Sequence, residues 1–194
     1  MSLSMRVTPT KKVIVFSSHD TWARAISVVL GLLALGALGP WSLDMGIVPL
    51  SLQSLVVFSA ALLLRPQDFL VCSLGYLIIG AAGLPVFANH SGGIDKLLGH
   101  TSGFLWGFVV IGTGLSWTNR RRAMGFPPLL LAALSAHLLL LIPGFTVLHW
   151  HLPDAALTSI FLNLFPGLLI KTLIIAVLVN AKQRRSESPV EIAN

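Results

Sequence analysis

Charge is scarce in this chain. Among 194 residues there are 13 Lys and Arg but only 7 Asp and Glu, so 10% of the sequence is charged, against roughly a quarter in ordinary soluble domains. Cysteine occurs once, at Cys72, which leaves no partner for an intramolecular disulfide and says nothing about redox compartment. No G-x-x-x-x-G-K-[ST] loop is present, so the sequence supplies no nucleotide-driven engine. H-E-x-x-H, G-x-S-x-G and paired intramembrane carboxylates are also missing, which removes the usual signatures of an intramembrane enzyme. No internal repeat is evident, which argues against a carrier built from two inverted halves.

What fills the chain is apolar: 55% of residues are hydrophobic and the mean hydropathy is +0.84. A spanning helix needs about 20 mostly apolar residues. Six runs meet or approach that length, at about 21–39, 51–64, 69–83, 102–118, 128–142 and 158–180. The expected fold is an all-α integral membrane protein of about six transmembrane helices. It is expected to be one polytopic domain over 1–194, with polar tails at about 1–20 and 182–194. The short runs 51–64 and 69–83 should form an antiparallel hairpin turning at Arg65, Pro66, Gln67 and Asp68.

A net charge of +6 would suggest nucleic acid if it gathered on one soluble face. Its placement says otherwise. With the N-terminus inside a cell, Arg6, Lys11, Lys12, Arg24, Arg65, Arg120, Arg121, Arg122, Lys182, Arg184 and Arg185 all fall on the inner side. Lys96 falls outside, and Lys171 lies within the last span. Such a bias predicts cytoplasmic N- and C-termini in a cell membrane, with lipid and not nucleic acid as the partner. Trp22 and Trp117 near inner ends, and Trp41 and Trp150 near outer ends, fit an aromatic belt.

Two features point to chemistry. The stretch from Gly83 to Phe104 is too apolar for a solvated loop and rich in glycine. Non-helical backbone at membrane depth is tolerated where it lines a cavity, so this outer loop between the third and fourth spans is expected to cover a binding site. Lys171 is the second feature. An intramembrane charge costs on the order of 2.5–3.5 kcal/mol on insertion scales and is usually kept for function. Its inner helix end is about nine residues away, roughly 14 Å, too far for snorkelling. His149, His151 and Asp154 could be taken for metal ligands, but an i, i+2 pair in a Pro-bounded loop is not diagnostic. No metal or cofactor is expected. His137, within the fifth span, either lines a cavity or bonds a neighbouring helix.

The segments Val48-Pro49-Leu50-Ser51-Leu52-Gln53-Ser54-Leu55, Tyr76 to Ala88 and Gly92-Gly93, with Phe165-Pro166-Gly167-Leu168-Leu169-Ile170-Lys171, resemble the BioY family. Members are the substrate-capture subunits of energy-coupling-factor importers. The resemblance implies six helices, biotin binding from outside, and partnership with a transmembrane coupling subunit and ATPases. It also implies that Lys171 contacts biotin, whose carboxylate suits an ammonium, and that Leu168 stands where the family usually has an acidic residue. Gln53, Tyr76, Asn89 and Ser91 are further candidate contacts for the ureido ring, although an interhelical bond would explain Gln53 and packing would explain Tyr76. Ala23 and Ser27, four apart on the first helix, resemble the surface on which such subunits dock their coupling partner. A subunit for a different small carboxylated vitamin, and more remotely an intramembrane enzyme, remain as alternatives.

Overall fold

The computed structural model describes residues 18–44, 46–121 and 124–187. Arg6, Lys11, Lys12 and Arg122, and the outer parts of both expected tails, lie outside the described residues, as do the side chains of Arg120, Arg121 and Arg185. Seven helices follow in order: α1 Ser18–Leu38, α2 Gln53–Leu63, α3 Pro66–Ala81, α4 Ile94–Leu98, α5 Ser102–Arg121, α6 Phe126–His151 and α7 Leu157–Glu187. All but α4 fall on the six apolar runs. The segments Thr21–Leu38, Phe126–His151 and Leu157–Arg184 are long and apolar enough to cross a membrane, while α2 and α3 are shorter apolar helices.

The structure departs from expectation at the helix ends. Pro66, Gln67 and Asp68 are not a turn but the start of α3, with Pro66 in the first helical turn, where its missing N–H costs nothing. Only Leu64 and Arg65 link α2 to α3. Helix α6 does not stop near 142 but runs through Pro143 to His151, so His149 and His151 occupy its last turn and not a loop. Helix α5 crosses α6 closely at this proline: a Cβ on Gly103 would collide with the Pro143 carbonyl oxygen. Gly107, one turn along α5, faces Leu140 and Pro143 in the same crossing. Helix α7 continues to Glu187, so the tail expected from 182 begins helical; Lys182, Gln183 and Arg184 are good helix formers that extend it beyond the apolar stretch.

A small sheet, absent from an all-α expectation, joins α1 to α2. Strands β1 Ser42–Leu43 and β2 Leu50–Ser51 pair antiparallel, Ser42 opposite Ser51 and Leu43 opposite Leu50. The 83–101 loop is likewise not wholly irregular. Gly83 and Gly93, at φ +100° and +103°, reverse the chain at conformations that side chains rarely adopt. Between and after them lie a tight turn at Ala88–His90, in which Asn89 and His90 also take left-handed φ of 57° and 51°, and α4.

Helix α2 is the centre of the bundle. Gln53, Ser54, Val56, Val57, Phe58, Ala60, Ala61 and Leu62 are all buried in it, and only the narrow face of Leu55, Ser59 and Leu63, spaced four apart, stays partly open. Its last carbonyls have no helical donors. They are met by α5: Ser116 Oγ donates to Leu64 at 2.8 Å, and Asn119 Nδ2 to Leu62 at 2.8 Å.

These bonds sort the helix ends. The start of α1, the α2–α3 link and the end of α5 share one end, because Arg24 also reaches Asp68 there, Nη2 to Oδ1 at 2.6 Å. The β hairpin and the 83–101 loop share the other, where Ser42 Oγ donates to Asn89 Oδ1 and accepts from the Asn89 amide at 2.9 Å.

Candidate ligand-binding cavity

At the hairpin end, above the first turn of α2, lies a cavity of about 330 Å³, within the range of small-molecule sites. Gly46 to Ser51 from the hairpin and Phe87 to Asn89 with Ser91 from the outer loop line it. Phe104, Phe108, Leu140 and Leu168 supply apolar walls.

The loop holds its shape through close packing on α3. Phe87, 2% exposed, lies on Gly80, where any Cβ would come within 2.1 Å of its ring. The same ring meets Tyr76 edge-on at 5.4 Å. Tyr76 donates to the Val86 carbonyl at 2.7 Å and accepts from Gln53 Nε2 at 2.8 Å. Phe87 and Tyr76 thus pin the loop to α3 and fix Gln53 at the cavity wall.

Lys171, on α7, enters the cavity and donates to the Ser51 carbonyl at 3.1 Å and to Ser54 Oγ at 2.9 Å. Both partners are neutral. Among the described residues no carboxylate lies within ion-pairing distance of it; Asp68 pairs with Arg24 at the far end. Leu168, one turn earlier, lines the same cavity and is 5% exposed. The ammonium therefore stands in a mostly apolar enclosure without counter-charge, which is costly unless a ligand supplies one.

Of the residues expected from the sequence, Lys171, Gln53, Asn89 and Ser91 line this cavity together. Tyr76 does not. It is 3% exposed and accepts a hydrogen bond from Gln53, which does line the cavity. Asn89 has its side-chain oxygen taken by Ser42 and sits at φ +57°; Ser91 donates to the Ala88 carbonyl at 2.7 Å. Ala23 and Ser27 are far off on α1, where Ser27 Oγ donates to the Ala23 carbonyl at 2.8 Å and Ala23 is exposed beside Trp22 and Ile26. Sequence reasoning missed Ser51 and Ser54, whose only signal was that a buried ammonium needs oxygen acceptors, and Lys96, His100 and Thr101 at the mouth. His137 does both things left open for it, lining the cavity and approaching Thr172 of α7.

Apolar helices around a cavity into which the Lys171 ammonium projects, bonded only to neutral oxygens, define a multi-pass membrane protein with a small-solute pocket. The BioY family model matches residues 10–188. The Lactococcus lactis subsp. cremoris protein named biotin transporter BioY2 is 35% identical over 131 residues, covering 64% of this chain and 72% of that protein. The Thermotoga maritima biotin transporter BioY is 42% identical over 78 residues, 40% of this chain and under half (46%) of that protein. The crystal structure of the S-component for biotin from an ECF-type ABC transporter superposes with a TM-score of 0.79 at 20% identity, over 92% of this chain and 98% of that one. The chain belongs to the BioY family and has the S-component fold.

Proposed function

We propose that this protein is the substrate-binding membrane subunit of a biotin importer, and not an enzyme. The observation that carries the reading is Lys171: a cavity cation whose protein partners are two neutral oxygens is matched by a carboxylated ligand. Gln53, Asn89 and Ser91, which line the same cavity, offer donors and acceptors for a ureido ring. Titration of the purified chain with biotin tests the reading directly, and absence of saturable binding would sink it.

The basic end of the bundle, with Arg24, Arg65, Lys182 and Arg184, faces the cytoplasm of a bacterial cell, and the cavity mouth faces outward. In a Cys72→Ser background, a cysteine placed at position 121 is expected to react with an impermeant maleimide only after the cells are opened. Labelling on intact cells would invert the topology.

Release into the cell needs partners: an energy-coupling transmembrane subunit and its ATPases. The exposed Ala23 strip of α1 is the docking surface, since small side chains permit close helix approach. Replacing Ala23 and Ser27 together with Trp should abolish co-purification with the coupling subunit while leaving biotin affinity within about twofold. Joint loss of binding and assembly would mark these residues as ordinary packing.

A further inference from the structure

One polar atom of the cavity region has no use in the site so far described. His137 of α6 lines the cavity and is 3% exposed. Its Nδ1 lies 3.0 Å from the Ala133 carbonyl oxygen and 3.1 Å from Thr172 Oγ1. A carbonyl oxygen only accepts, so the partners assign the proton to Nδ1, which donates to Ala133 with the Thr172 oxygen close enough to share it. The ring is held edge-on to Phe58, with centroids 4.8 Å apart and planes at 82°. Protonating the second nitrogen would add a cation to an enclosure where Lys171 already lacks a carboxylate. Nε2 is therefore a bare acceptor, and among the described residues it meets no hydrogen-bond partner; the atom is itself buried, at the edge of the cavity that its residue lines, so a ligand reaches it by a small shift of the ring. Lys171, the neighbour of Thr172 on α7, is turned to Ser51 and Ser54 instead.

We infer that His137 is a specificity-determining residue whose Nε2 accepts a hydrogen bond from an N–H of the bound ligand's head group. The inference rests on the biotin reading, because a cyclic urea brings two ring N–H donors. A carboxylate turned toward Nε2 would set lone pair against lone pair, and a plain alkyl carboxylate would leave the nitrogen unpaired. His137 thereby sets the direction in which the ligand lies, N–H toward α6 and carboxylate toward Lys171 on α7. It also excludes simple fatty acids, which Lys171 alone would admit. Discrimination of this kind is strong because a site built to bond an N–H rejects an analogue that lacks it.

The test compares biotin with its two cyclic-carbamate analogues, in which one or the other ring N–H is replaced by oxygen, by calorimetry on purified wild type, His137→Leu and His137→Gln. Wild type should bind at least one carbamate tenfold or more weakly than biotin. In His137→Leu that ratio should fall to near one, and in His137→Gln, whose amide oxygen ends close to where Nε2 stood, it should largely return. Both variants should keep the preference for biotin over neutral biotin amide, which reads the Lys171 contact separately. An unchanged carbamate ratio in a His137→Leu protein that still binds biotin overturns the inference and leaves the functional reading standing. No biotin binding by wild type sinks both. If His137→Leu does not fold, His137→Asn takes its place: its amide reaches the Nδ1 position only, so the ratio should fall there and hold in His137→Gln, and the same ratio in both variants overturns the inference.

Discussion

Lys171→Ala is expected to weaken biotin binding about thirty-fold or more. Removing one partner of a desolvated, hydrogen-bonded charge pair commonly costs about 2–5 kcal/mol, and each 1.4 kcal/mol is a factor of ten. Here the ammonium has nothing else to neutralise it, since Leu168 replaces the acid expected one turn away and the serine oxygens are neutral. The loss should therefore fall on ligand affinity and not on folding; Lys171→Ala removes a buried charge and should melt no lower than wild type. Lys171→Arg should not restore affinity, because a planar guanidinium is larger and cannot repeat the paired contacts to Ser51 and Ser54. Calorimetry with biotin and biotin amide settles the matter: equal affinity of wild type for both ligands, with no loss in Lys171→Ala, would end the carboxylate-anchor account.

The second large effect is on stability. Arg24 holds Asp68 through Nε at 3.1 and 3.2 Å and Nη2 at 2.6 Å, and the Asp68 side chain is only 10% exposed. Arg24→Ala leaves that carboxylate at the α1–α3 seam without this bidentate clamp, which should cost about 3 kcal/mol, the lower part of the range for breaking a buried pair because Arg24 itself is 32% exposed. The double variant Arg24→Met with Asp68→Leu should regain most of the loss, since an apolar pair of similar volume carries no desolvation penalty. Melting in detergent reads both. A single variant as stable as wild type would show that apolar packing alone ties α1 to α3.

How much of this was legible in the sequence follows from the kind of signal each residue carries. Hydropathy placed six helices because burial in lipid demands long apolar runs, and that demand is local in sequence. It misplaced their ends at Pro143 and Lys182, since a proline can sit inside a helix without ending it, and a basic tail remains helical as long as its residues favour it. Lys171 was legible because a charge in an apolar run is conspicuous by itself. Tyr76 was legible only in part. Its hydroxyl shows that it needs partners, but only the fold reveals that Gln53 and Val86 already provide them. Ser54 and the α5 glycines that meet α6 carry no local mark, because their roles arise from residues more than thirty positions away.

The shortness of α2 has a consequence of its own. Eleven residues rise about 16 Å, roughly half of a bilayer's hydrocarbon thickness. The upper half of the same column holds the hairpin strap and the cavity, so the vacancy exists because the central helix stops early. On the proposed reading, a bound molecule would take the place of the missing turns, next to Gln53 and Ser54 and among the helices that line the cavity. The ligand would then serve as the last segment of a membrane-spanning core.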